Sequence, residues 1–138
     1  MNLRRSLTNR NSIIAILILQ VIALLLFPGE SYAGTTQEWW LPMLLVLMVV
    51  IADVELILRR SYKPWPWALI SFAHGFNIIS RLMMVWPHAT IAADGGNMFN
   101  APYVILSVIS MLISTLVLAY MEWPEVRMGL LAPLSAAK

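Results

Sequence analysis

The chain has 138 residues, of which 60% are hydrophobic and only 12% charged. A soluble domain carries about 25% charged residues, so the balance points to a membrane protein with no separate soluble domain. The net charge of +2 is too small to suggest a nucleic-acid partner, and the absence of cysteine excludes disulfides, c-type haem and cysteine-ligated clusters.

At about 20 residues per crossing, four apolar runs fit the length. They cover about residues 12–28, 39–58, 66–86 and 101–121. Pro28 and Gly29 end the first, and Arg59 and Arg60 stop the second. Lys63 and Pro87 bracket the third. Asn100 followed by Pro102 is an N-terminal helix signal for the fourth, which Glu122 and Pro124 close. Backbone groups in lipid must be satisfied within the segment, so each run is expected to be helical. The expected fold is an all-α integral membrane protein, a small bundle of four transmembrane helices in one domain spanning 1–138. The short tail 122–138 is expected to lie along the inner surface or to contact a partner.

Basic residues set the orientation. Arg4, Arg5 and Arg10 precede the first run; Arg59, Arg60 and Lys63 separate the second and third; Arg127 and Lys138 follow the fourth. The loops Gly29–Glu38 and Pro87–Asn100 carry no Lys or Arg. The positive-inside rule then puts both termini in the cytoplasm, in a bacterial inner (plasma) membrane. Trp39, Trp40 and Trp86 would mark the outer interface, and Trp65, Trp67, Tyr120 and Trp123 the inner one. A competing reading takes Arg4–Arg5, the apolar run and Ser31-Tyr32-Ala33 as a signal peptide cleaved after Ala33. Asp94-Gly95-Gly96-Asn97 is a turn signal in the second outer loop.

Ionisable and amide groups inside the runs are the candidate functional residues, because a charge in hydrocarbon costs about 2.5–3.5 kcal/mol even on lenient scales. Ser71, His74, Asn77, Arg81 and His88 fall at helical spacing on one face of the third run. The opposite face, with Leu69, Phe72, Phe76, Ile79 and Met83, is apolar and suited to lipid. Glu55 stands four residues before Arg59, the favourable order for an intrahelical ion pair. At about 1.5 Å per residue, Asp53 and His74 lie at similar depth, about 7 and 3 Å cytoplasmic of their midpoints. They are expected to pair, either as a bond that fixes helix register or as a proton-handling pair. Arg81 lies about 7 Å on the outer side, where no acidic residue of the chain matches it. It is expected to snorkel, to bind a lipid head group or to meet a carboxylate of another subunit.

Tyr103, Ser107, Ser110 and Ser114 share a face of the fourth run, and Ser110 and Ser114 form a small-xxx-small pair for close helix packing. Gln20 is one further amide, expected to act as glue between helices. No nucleotide, hydrolase or metalloprotease motif is present, and His74 and His88 are about 21 Å apart along one helix, too far to share a metal or haem. No catalytic, cofactor or metal site is therefore expected. The expected role is a non-catalytic accessory subunit of a larger bacterial membrane complex, of the respiratory or photosynthetic electron-transfer kind. Its expected partners are other integral membrane subunits and lipids. The alternative is a small proton- or ion-coupled transporter using Asp53, His74 and Arg81.

Overall fold

The computed structural model describes residues 3–26, 39–61, 63–93 and 95–131. Three helices are long and apolar enough to cross a membrane: Trp40–Leu58, Trp65–His88 and Ala101–Met121. The elements run α1 (Leu3–Leu7), α2 (Arg10–Leu19), α3 (Val21–Leu25), α4 (Trp40–Asp53), a π-helical turn (Val54–Leu58) and α5 (Trp65–His88). A β-hairpin of β1 (Thr90–Ala93) and β2 (Gly96–Phe99) follows, then α6 (Ala101–Met121) and α7 (Pro124–Leu131).

Local chemistry sets the boundaries. Pro42 and Pro66 sit in the first turns of α4 and α5, where the missing N–H removes no helical bond. The helical rod of α4 continues into the π turn and stops at Arg59, and Arg60 then takes a positive φ of 48°. Pro87 stands in the last turn of α5, and the helix ends at the next residue. At α6 the Asn100 side chain accepts the Tyr103 N–H at 3.4 Å, the cap expected from sequence.

Two features differ from the expected bundle of four uninterrupted helices. The second outer loop forms an antiparallel ladder from Thr90↔Phe99 to Ala93↔Gly96, closed at its base by Asn100 N–H to the Ala89 carbonyl at 2.8 Å. Gly96 adopts a φ of 123°, a conformation that favours glycine, so the turn signal marks a strand pair rather than an irregular loop. The first apolar run is broken at Gln20 into α2 and α3, and the helical segment Arg10–Leu25 is shorter than the three membrane-length helices. The Gln20 side chain donates to the Leu17 carbonyl at 2.8 Å, competing for the acceptor that the Val21 N–H would use in an unbroken α-helix. Ala23 N–H turns instead to the Gln20 carbonyl, at 3.2 Å. The signal-peptide motif at residues 31–33, and Glu30, Glu38 and Asp94, lie outside the described residues.

The larger apolar core sits at one end of the bundle, where Ile13 and Leu17 of α2 meet Leu56, Trp67, Ile70, Val117, Met121, Val126 and Leu130. Through residue 131 the tail packs on its own chain, with Val126 and Leu130 buried. Arg4 and Glu125 pair at 2.7 Å, and the Tyr120 hydroxyl donates to the Leu7 carbonyl at 2.7 Å. Trp67 and Tyr120, expected at an interface, are buried in this core, because α7 and the N-terminal helices cover them. A second cluster, Leu24, Leu45, Val49 and Ala73, joins α3, α4 and α5. Phe72, Phe76, Ile79 and Met83 are exposed on the outer face of α5, as a lipid-facing surface requires.

Candidate functional site

Between the helices runs a continuous chain of side-chain hydrogen bonds. It begins at Arg81, which is fully buried; its Nε donates to Asn77 Oδ1 at 2.9 Å. The two N–H groups of the Asn77 amide go to Ser110 Oγ at 3.0 Å and Ser114 Oγ at 2.9 Å. Ser114 Oγ lies 3.0 Å from His74 Nδ1, and His74 Nε2 lies 3.0 Å from Gln20 Oε1. Gln20 Nε2 then donates to Asp53 Oδ1 at 3.0 Å. Periodicity delivers the parts: His74, Asn77 and Arg81 share the inward face of α5, while Ser110 and Ser114 share that of α6.

Each link has one direction. The Gln20 oxygen can only accept, so His74 Nε2 carries a hydrogen. The Ser114 hydroxyl accepts from Asn77 and keeps its own hydrogen free to give to Nδ1 of a neutral imidazole. A neutral imidazole protonated on Nε2 satisfies both of these bonds. From Arg81 to Asp53 every donor points the same way, a polarised series running from a guanidinium to a carboxyl group. Within protein of low dielectric such a series is reinforced along its length, and an incomplete one is costly.

Arg81 does not snorkel to the surface: it is fully buried within the bundle. Its terminal nitrogens donate to the carbonyls of Leu26, at 2.5 Å, and Ala23, at 3.4 Å. The Ala23 carbonyl also accepts from the Ser110 hydroxyl. The last carbonyls of a helix have no partner within it and carry its negative end, so α3 ending at Leu25 supplies acceptors that a guanidinium can use. The Asp53–His74 pairing expected from depth is also corrected: Gln20 stands between them and bonds to both.

The other candidates fall into place around this chain. Ser107 and Tyr103 are buried on the face of α6 that carries Ser110 and Ser114. His88 leaves the series; its ring stacks on Tyr103 with centroids 4.7 Å apart. Glu55 pairs with Arg59 at 2.8 Å, the expected intrahelical bridge, on the π turn. Among the described residues no three His, Asp or Glu side chains gather closely enough to hold a metal ion.

Asp53 differs from the rest of the series in being only half-buried. It opens into a groove of about 310 Å³ walled by Ile18, Val21, Val50, Val54, Ile57 and Leu58. The polar series therefore has a sealed end at Arg81 and an accessible end at Asp53. No family model, curated protein or solved structure matches the chain.

Proposed function

We propose that the protein is a non-catalytic accessory subunit of a larger membrane complex in a bacterial plasma membrane. One observation carries this reading: the polar groups inside the helices bond to one another, and their accessible end, Asp53, opens into an apolar groove on the outside of the bundle. Amides at Gln20 and Asn77 interrupt the series. Passing a proton through either would require an imidic acid, so the series is suited to holding helix register.

The same reading has four crossings with both termini in the cytoplasm. Support comes from the packing of α2 against α7 and from Arg127 stacked 5.6 Å over Trp67, which gathers Arg4, Arg5, Arg10 and Arg127 at one end. From that end the first run passes Asp53 and His74 at Gln20 and meets Arg81 at Leu26. The positive-inside rule makes the basic end cytoplasmic.

The test is extraction from native membranes in mild detergent. Stoichiometric membrane partners are expected, and haem or flavin absorbance in the copurified material would identify an electron-transfer complex. Recovery of this chain alone would refute the reading. The transporter alternative draws on the accessible carboxyl group of Asp53 and its link to His74. Proton or solute flux in proteoliposomes of the pure protein, abolished by Asp53→Asn, would favour it.

A further inference from the structure

We infer that the groove over Asp53 seats a transmembrane helix of another protein, and that this helix presents a lysine or arginine side chain to the Asp53 carboxylate. The inference rests on the accessory-subunit reading and names the chemistry of the partner. The walls of the groove are aliphatic: Ile18 and Val21 on one side, and Val50, Val54, Ile57 and Leu58 on the other. Val50, Val54 and Ile57 recur at helical spacing, the surface against which another helix packs.

Within that apolar surface Asp53 is the single ionisable residue. Gln20 is its hydrogen-bond partner among the described residues, and it engages Oδ1. At about 7 Å from the middle of its helical rod, Asp53 lies well inside a hydrocarbon layer about 30 Å thick. A bare carboxylate there costs several kcal/mol, so the group either holds a proton or keeps its charge by meeting a cation. The π turn Val54–Leu58 follows Asp53 directly and forms much of the wall; such irregular turns are frequent where a helix meets a ligand or partner.

Two other occupants fit less well. A second copy of this chain has no suitable cation, because eight of its nine basic residues flank the apolar runs and Arg81 is fully buried. A lipid amine resides in the head-group layer, about 8 Å above the carboxylate by the same depth estimate.

The experiment places a photoreactive amino acid at Val50 or Val54, with Met83 on the exposed face of α5 as the control, in cells that make the full complex. The expected result is a crosslink from the groove positions to a hydrophobic segment of a different protein. A lysine or arginine should lie within one turn of the attachment point. Asp53→Asn should lower retention of that partner by about tenfold or more, since breaking a buried charge pair costs several kcal/mol. Exchanging the charges, Asp53→Lys with the partner's cation changed to Asp, should restore it. Crosslinks confined to lipid, to a second copy or to a segment without a basic residue would overturn the inference, as would wild-type retention by Asp53→Asn. If a partner copurifies but does not touch the groove, this inference fails and the accessory-subunit reading stands. If nothing copurifies, both fail.

Discussion

Gln20 is the joint on which the polar series depends, and a double-mutant cycle with His74 measures it. Gln20→Leu removes bonds to Asp53, to His74 and to the Leu17 carbonyl, and strands a fully buried His74 N–H. Side-chain hydrogen bonds in membranes average about 0.6 kcal/mol, with a maximum near 1.7. An unsatisfied buried donor costs about 1–3 kcal/mol. The added apolarity of leucine offsets part of this, so the single substitution should cost about 2 kcal/mol. His74→Leu removes the bonds to Gln20 and Ser114 and should cost a similar amount. The double variant loses the shared bond once and strands neither partner across it. Its destabilisation should therefore fall short of the sum of the singles by about 1 kcal/mol. Reversible unfolding in mixed micelles, followed by the fluorescence of the six tryptophans, supplies the free energies. Additivity of the two singles within about 0.3 kcal/mol would refute the bridging role of Gln20.

Gly129→Ala would place a Cβ 2.7 Å from the Thr8 carbonyl oxygen and 2.9 Å from Ile13 Cδ1. Because the nearer atom is backbone, α7 must shift; about 1–3 kcal/mol of destabilisation is expected, with faster proteolysis of the tail as the readout. Arg81→Lys keeps the charge but not the fork that reaches Asn77, Ala23 and Leu26 together, so its melting temperature should fall nearly as far as that of Arg81→Met. A wild-type melting temperature for the lysine variant would mean that charge alone suffices. Glu55→Gln should cost less than about 0.5 kcal/mol in the same unfolding assay, because the Arg59 side chain it pairs with is 71% exposed. The chain lacks cysteine, so single cysteines report topology directly. Gly95→Cys should react with a membrane-impermeant maleimide in intact cells, whereas Lys63→Cys and Arg127→Cys should react only after the membrane is opened.

Periodicity made much of the site legible. A spacing of three and four puts His74, Asn77 and Arg81 on one face, and Ser107, Ser110 and Ser114 on another, whatever the neighbouring helices do. All six are buried, and two of the three serines receive the Asn77 amide. Depth along a helix axis was a weaker guide. It matched Asp53 to His74 by height but carried no information on azimuth, and the gap between them has room for a whole side chain. Gln20 fills it. The π turn was also hidden, because one extra residue per turn leaves no mark on an apolar sequence such as Val54–Leu58 apart from Glu55.

The different surroundings of Asp53 and Arg81 have one physical origin. A search for partners that counts only carboxylates finds nothing at the depth of Arg81 and sends it outside the chain. Backbone carbonyls are acceptors too, and they become available wherever a helix stops. The break at Gln20 and the end of α3 at Leu25 bring the carbonyls of Ala23 and Leu26 to the guanidinium. The same break lets the Gln20 side chain turn toward Asp53 and His74. A straight first helix, of the kind the uniform run of Ile, Leu, Ala and Val suggests, would keep those carbonyls in its own ladder and leave Arg81 to seek a partner elsewhere. The short, interrupted first helix thus buries Arg81 against its own carbonyls and leaves Asp53 as the half-buried end of the polar series.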